Sequence, residues 1–140
     1  MKIVDANVLI YAVNDRAPAH EVARRWLLDA LCGTEPVGLP WVSLLAFIRL
    51  TTSRQIYTTP LSVTEAMALV ESWVELAVTI DVAPTARHTA ILRGLLEQAG
   101  AAGNLTTDAH LAALAIEHGA SIVSFDRDFG RFGMPLVVPT

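Results

Sequence analysis

Cysteine and lysine are both scarce in this chain of 140 residues, and no long apolar run is present. The single cysteine, Cys32, excludes an internal disulfide framework and a four-cysteine zinc site. The longest apolar stretch, Trp41 to Ile48, is far shorter than the roughly 18 residues that a membrane span requires. Met1-Lys2 leads directly into a strand pattern, without the profile of a signal peptide. These absences predict a soluble, cytoplasmic protein.

The charge balance is acidic, and the basic residues are almost all arginine. The formal net charge is −4, and one lysine accompanies nine arginines. An acidic surface disfavours nucleic acid, because phosphate contacts need Lys and Arg, but arginine is the side chain that forks onto phosphate and stacks on bases. Bulk charge therefore leaves nucleic-acid binding open. The hydrophobic fraction of 53% excludes a disordered chain, and it is consistent either with an alanine- and leucine-rich core or with a surface covered by a partner.

Short apolar segments alternate with helical patterns along the chain. The alternation predicts the α/β class, as a three-layer α/β/α sandwich with a central, mainly parallel sheet, and the length suits a single domain over residues 1–140. Residues 103–107 are predicted to be a loop that ends in helix-capping residues. Strands are predicted over 2–5, 36–39, 79–82, 121–124 and 136–138, and helices over 8–13, 20–31, 40–54, 62–75, 85–99 and 108–118.

Three of the acidic residues stand where such a fold forms a ligand site. Asp5 directly follows the first strand, Asp126 follows a later strand, and Asp108 lies in the first turn of a helix. Because ligands of an open parallel sheet bind beyond the carboxyl ends of its strands, these carboxylates are expected to converge. Each also has an ordinary explanation, as turn chemistry after a strand or as a complement to a helix dipole. The remaining helical acids, Glu117 among them, are expected to be solvated.

A cluster of carboxylates must either trap a proton or bind a cation. Two like charges about 4 Å apart repel by roughly 4 kcal/mol at an effective dielectric of 20. Oxygen ligands without histidine or cysteine nearby favour Mg²⁺ or Mn²⁺, and such an ion pairs naturally with a substrate phosphate. The chemistry indicated is metal-assisted phosphodiester hydrolysis.

The four histidines are His20, His88, His110 and His118, and they show no zinc-ligand spacing. Two residues correspond to about 200° around a helix, so His110 should point away from Asp108. All four are expected to be structural or surface residues.

Three segments occur in a characteristic order: Ile3 to Ile10, Thr107 to Ala115 and Ser121 to Phe129. Together they resemble the PIN-domain ribonucleases, and most of all the VapC-type toxins of bacterial toxin–antitoxin pairs, over essentially the whole chain. The resemblance implies a PIN-like fold and a Mg²⁺-dependent endoribonuclease, with Mn²⁺ able to substitute. Water would attack the RNA phosphodiester and leave a 3′-hydroxyl and a 5′-phosphate. It also implies a cognate VapB-like antitoxin and a homodimer.

The resemblance assigns a role to individual acids. Asp5, Asp108 and Asp126 match the acids that bind the metal and serve catalysis, and Asp128 is an accessory acid.

Small polar and basic residues complete the predicted site. Asn7 and Ser124 match positions that usually support the metal ligands, and we expect them to orient carboxylates. Arg127 and Arg131 flank Asp126 and, with Arg49, are candidate contacts for RNA phosphates. The alternatives are a solvated face or contact with an acidic segment of a partner.

One departure from the family pattern concerns the helix after the second strand. The family usually has a glutamate there, but residues 43–49 contain no acid and Phe47 falls at that place. The absence puts a second metal ion in doubt, and it leaves a catalytically degenerate PIN-like binding module as the alternative. A metal-dependent phosphatase of the haloacid dehalogenase type and a receiver signalling domain are disfavoured, since Asn7 replaces their second aspartate and Lys2 is the only lysine.

Overall fold

The computed structural model describes residues 1–140 and contains five strands and six α-helices. The strands are β1 (Lys2–Val4), β2 (Val37–Gly38), β3 (Thr79–Ile80), β4 (Ser121–Val123) and β5 (Leu136–Val137). The helices are α1 (Ala6–Val13), α2 (His20–Leu31), α3 (Trp41–Thr51), α4 (Val63–Val74), α5 (His88–Ala99) and α6 (Thr106–Glu117). Two 3₁₀ turns, Gly103–Leu105 and Arg127–Phe132, precede α6 and β5.

The five strands form one sheet in the order β3-β2-β1-β4-β5, and every pairing is parallel. The predicted α/β class and parallel sheet are therefore confirmed. Strand β1 lies at the centre, between β2 and β4. Strands β2 and β3 extend the sheet on one side of β1, and β4 and β5 extend it on the other. This is the topological switch point of an open sheet, and its carboxyl edge is where such folds bind ligands.

Both faces of the sheet are covered, as continuous apolar strands predict. On β1, Ile3 packs into a core with α5, α6 and the second 3₁₀ turn, whereas Val4 packs into a separate core with α1, α3 and α4. Because successive side chains of a strand point to opposite faces, these two cores make the predicted three layers. No helix of the structure combines the length and the apolar character that crossing a membrane requires.

The helix boundaries agree with the sequence patterns to within one residue except in four places, the first being α1, which begins at Ala6 rather than 8. Helix α4 begins with the expected capping box, in which the Ser62 hydroxyl accepts from the Glu65 amide and the Glu65 carboxylate accepts from the Ser62 amide. Helix α3 ends at Thr51 rather than 54, and α5 begins at His88 rather than 85. The prediction of a loop ending in capping residues over 103–107 is wrong, because α6 begins at Thr106 without any side-chain cap.

Candidate functional site

Asp5 is held by two polar side chains from different parts of the chain. The Ser124 hydroxyl donates to Asp5 Oδ2 at 2.7 Å, and the Asn7 amide donates to the same oxygen at 3.0 Å. Asn7 also donates to the Ser124 hydroxyl and accepts from the Phe125 amide, so it ties the start of α1 to the end of β4. One oxygen of the Asp5 carboxylate is thereby fixed.

Asp126 joins the same group through Ser124. Its backbone amide donates to the Ser124 hydroxyl at 3.0 Å, and its carboxylate accepts from the Asp128 amide at 2.8 Å. Ser124 is fully buried and receives or donates three bonds at this point. The adjacent strands β1 and β4 thus deliver two carboxylates to one edge of the sheet, in the arrangement that their positions after strands predict.

Asp108 reaches the same edge from the first turn of α6. Burial, followed by the charges of Asp5 and Asp126, raises the pKa of Asp108 to about 6, against a smaller lowering by the Arg131 guanidinium. Burial also raises the pKa of Asp5, against the hydrogen bond from Ser124, and the charge on Asp126 adds to that rise. The structure therefore brings the three predicted acids into mutual electrostatic contact, and burial together with the neighbouring charges disfavours the ionised forms of Asp5 and Asp108.

The carboxylates fit a hard divalent cation by chemistry rather than as a ready-made cage. No group of three acidic, histidine or cysteine side chains is placed to ligate one ion directly. Mg²⁺ needs no such cage, since it commonly keeps several waters and binds through one or two carboxylates. A bound cation would also lower the raised pKa values of Asp5 and Asp108, because it favours their charged forms.

The predicted arginines divide into one near the acids and two apart from them. Arg131 donates to the Asp128 carbonyl at 3.2 Å and lies 3.5 Å from the Asp128 carboxylate, close enough to Asp108 to act on its pKa. Arg127 and Arg49 are exposed and form no ion pair, and Arg49 lies in the last turn of α3. Asp128 is exposed as well, so the structure places it at the rim of the group.

Phe47 occupies the position on α3 where the glutamate is missing. Its side chain is fully buried, and its ring packs edge-on against Trp73 at 5.0 Å between ring centres. Because α3 carries no acid at all, every carboxylate of the site comes from β1, α6 and the segment after β4.

A second polar cluster lies at the other end of α6, and the sequence analysis missed it. The expectation that Glu117 is solvated is wrong, because its side chain is wholly buried. Its carboxylate accepts from the amide and the hydroxyl of Thr85 at 2.8 and 2.6 Å and pairs with His88 Nδ1. His88 Nε2 in turn lies 2.9 Å from His110 Nδ1. The available signal was the seven-residue spacing of His110 and Glu117, which puts two polar groups on one face of an otherwise apolar helix.

The fold and the site together define a class: a parallel α/β/α domain with an acidic group at the carboxyl edge of its central strands. Residues 2–134 match the family model for the PIN domain. The chain is 52% identical over 132 residues to ribonuclease VapC37 of Mycobacterium tuberculosis, a match that covers 94% of this chain and 92% of the relative. The chain therefore belongs to the PIN-domain family, among its VapC relatives.

Further relatives and solved structures agree with that placement. Ribonuclease VapC33 of Mycobacterium tuberculosis is 39% identical, with 94% of this chain and 92% of the relative covered. In fold, the chain is similar to the crystal structure of Mycobacterium tuberculosis VapC20, a toxin that cleaves the sarcin-ricin loop, at a TM-score of 0.71 and 20% identity over 99% of this chain and 100% of the other. It is also similar to VapBC2 from Rickettsia felis bound to a DNA fragment from their promoter, at a TM-score of 0.67 and 19% identity, covering 99% and 98%.

Proposed function

We propose that this protein is a metal-dependent endoribonuclease and the toxin of a toxin–antitoxin pair. The observation that carries the proposal is the meeting of Asp5, Asp108 and Asp126 at the switch point of the sheet, with the pKa of Asp108 raised to about 6. Perturbed carboxylates at such an edge are typical of a functional site. The relatives named as ribonucleases supply the substrate class.

Asp5, Asp108 and Asp126 would hold Mg²⁺, or Mn²⁺ in its place. When bound, such an ion supplies an activated water and offsets the charge that develops on the phosphate. Ser124 and Asn7 orient the Asp5 carboxylate by bonding its Oδ2, so Oδ1 would be the oxygen that faces the ion. This is the role that outer partners of metal ligands commonly have.

Arginines around the acids would position the RNA. Arg131 lies near Asp108, and its guanidinium offers planar donors that match a phosphate. Arg127, one residue after Asp126, and the more distant Arg49 are exposed and unpaired, so both are free to contact the RNA backbone. The proposed products carry a 3′-hydroxyl and a 5′-phosphate.

The burial of Phe47 bears on the number of metal ions that the site would hold. With that position filled by a core side chain, we propose that one ion suffices, and that Asp128 is an accessory acid rather than a direct replacement, because it is exposed and paired with Arg131. The same burial of Phe47 favours a second candidate, a PIN-like module that binds without cutting.

A VapB-like antitoxin and a second copy of the chain are the proposed protein partners. Exposed apolar side chains support a covered surface: Trp41 and Leu45 are 47% and 58% exposed on neighbouring turns of α3, and Val63 at the start of α4 is 69% exposed. Neighbouring exposed apolar side chains such as Trp41 and Leu45 are of the kind that a partner would cover. Both partners and the RNA would be met in the cytoplasm.

The decisive experiment incubates the purified, antitoxin-free protein with total RNA in Mg²⁺ or Mn²⁺, and in EDTA. We expect cleavage with either metal, none in EDTA, and at least about a hundredfold loss in Asp5→Asn. The variant should keep its circular dichroism spectrum, because the substitution removes charge and not packing. Absence of cutting by folded wild-type protein in both metals would instead support the non-catalytic module, and full activity in Asp5→Asn would exclude the proposed site.

A further inference from the structure

The three acids of the site differ in what holds them. Asp5 is bonded by Asn7 and Ser124, and the Asp126 carboxylate is bonded by a backbone amide. Asp108 accepts no hydrogen bond and forms no ion pair, and α6 has no side-chain cap beside it. The position of the Asp108 carboxylate is therefore set by the position of α6 alone.

The buried face of α6 combines small and large apolar side chains. Its buried apolar residues are Ala109, Leu111, Ala112, Ala113, Leu114 and Ala115. Apolar burial is non-directional, whereas a hydrogen bond requires particular atoms at particular places. Directional contacts therefore add a restraint that the apolar packing of α6 does not itself supply.

His88 of α5 supplies such contacts at two points along α6. Its Nδ1 pairs with the Glu117 carboxylate in the last turn, and its Nε2 lies 2.9 Å from Nδ1 of His110, two turns earlier. The Glu117 carboxylate can only accept, so His88 Nδ1 donates to it, and the second nitrogen of the ring shares a hydrogen bond with His110 Nδ1. The imidazole of His88 is thus bonded at both nitrogens and spans one face of the helix.

His110 is the link between this face and the acid site. It lies two residues after Asp108, on the opposite side of the first turns of α6, so fixing its ring also fixes the turn from which Asp108 projects. Thr85 bonds Glu117 but makes no contact with His110. Within the cluster, only His88 connects the end of α6 to its beginning.

We propose that His88 is a positioning residue for the Asp108 carboxylate, acting through His110 and helix α6. The inference rests on the proposed function in one respect, since it treats Asp108 as a metal ligand. It also makes a structural claim that holds without any metal: the His88–His110 bond restrains the first turns of α6.

Two substitutions at His88 separate its two bonds. Asn carries an amide near the place of Nδ1, so His88→Asn keeps a donor to Glu117 and loses the group that meets His110. Gln carries its amide near the place of Nε2, so His88→Gln keeps the reach to His110 and loses the donor to Glu117. Thr85→Val is the matched control, because it removes one bond from Glu117 and leaves the link to His110 intact.

Two measurements on the full chain read the position of Asp108 without RNA. One is the Mn²⁺ dissociation constant, from the electron paramagnetic resonance signal of free Mn²⁺. The other is amide hydrogen exchange at His110 and Leu111, which lie in the first turns of α6. We expect His88→Asn to weaken Mn²⁺ binding by about five- to tenfold, a loss at or below the low end for partners of metal ligands, and to speed exchange at both amides. His88→Gln and Thr85→Val should bind Mn²⁺ within about twofold of the wild type.

Two outcomes would overturn the positioning role. Equal Mn²⁺ affinity and equal exchange in His88→Asn and the wild type would show that the His88–His110 bond neither positions Asp108 nor restrains α6. An equal loss in Thr85→Val would show that general loosening of the cluster, rather than the link to His110, weakens the site. If the wild type binds no Mn²⁺, the proposed metal site fails separately, and exchange at His110 and Leu111 then decides alone whether His88 restrains α6.

Discussion

Helix α6 carries a buried or partly buried carboxylate near each end, Asp108 and Glu117, and their surroundings shift the two pKa values in opposite directions. Burial alone would raise the pKa of Glu117, but hydrogen bonds from Thr85 and His88 outweigh burial and hold that pKa below its ordinary value. Asp108 has no such partner and faces other acids, and its pKa rises to about 6. Both acids lose contact with water, and the hydrogen-bond donors that Glu117 has and Asp108 lacks account for the opposite directions of their pKa shifts.

The largest expected effect on stability comes from removing Glu117, the carboxylate that accepts hydrogen bonds from Thr85 and His88. Glu117→Ala should lower the free energy of unfolding by about 3 kcal/mol, because His88 and the Thr85 amide lose their buried partner while a cavity opens. Urea denaturation at neutral pH measures the change. The control is Glu71→Ala on the exposed face of α4, which should shift stability by less than about 0.5 kcal/mol. Similar results for the two variants would show that Glu117 is not a structural anchor.

Removing the charge of Asp108, the carboxylate without a hydrogen-bond donor, should change the free energy of unfolding in the opposite direction. In metal-free protein, Asp108→Asn should raise the free energy of unfolding by about 1 kcal/mol, a value reduced from the full pKa shift because Asp108 is partly exposed and solvent screens its charge. Asp81→Asn, which changes an exposed aspartate away from the cluster, is the control and should have little effect. A loss of stability in Asp108→Asn with EDTA present would contradict the electrostatic conflict among the three acids.

The acids of this protein also show how much of the candidate site can be predicted from the sequence. Asp5 and Asp126 were placed correctly at one edge because both follow predicted strands, and parallel strands share a carboxyl edge. Their direct proximity depends on β1 and β4 being neighbours, which only the observed strand order supplies. The role of these acids as metal ligands stays a prediction.

The burial of Glu117 could not be predicted from the helical sequence pattern. Its partners Thr85 and His88 lie 32 and 29 residues earlier in the chain, on a segment whose docking against α6 has no local signature. A polar residue in a helix is usually solvated, so the prediction failed where tertiary contacts replaced water. Phe47 is an intermediate case: the missing glutamate was visible in the sequence, whereas the packing of the ring on Trp73 was not.

The pH dependence of the two acids should differ in sign. The pKa of Asp108 in the folded protein, about 6, exceeds its ordinary value of 3.8, so the folded state favours the protonated form between those values. That contribution to stability is complete below about pH 3.8 and is lost as the pH rises through about 6. The advantage of Asp108→Asn over the wild type should therefore grow from near zero at the acid end to its full size at neutral pH.

Glu117 should respond in the reverse direction. Its pKa in the folded protein lies below the ordinary 4.5, so its contribution is present above pH 4.5 and is lost as the pH falls through the lowered pKa. The cost of Glu117→Gln should then shrink only at acid pH. Urea midpoints of both variants and the wild type, measured in EDTA across this range, check both signs. Parallel pH profiles for the two variants would show that the acids are not in distinct environments.

The smallest expected effect tests Arg131, the cation that acts on the pKa of Asp108. Arg131 lowers the pKa of Asp108, so Arg131→Ala should lower the stability of the metal-free protein by about 0.5 kcal/mol, the scale of an exposed charge interaction. Arg127→Ala is the matched control, because Arg127 is also exposed and makes no ion pair. In an Asp108→Asn background the effect of Arg131→Ala should shrink, since a double-mutant cycle removes the charge on which it acts. An unchanged effect in that background would assign Arg131 to its contact with Asp128 alone and separate it from the proposed metal ligands.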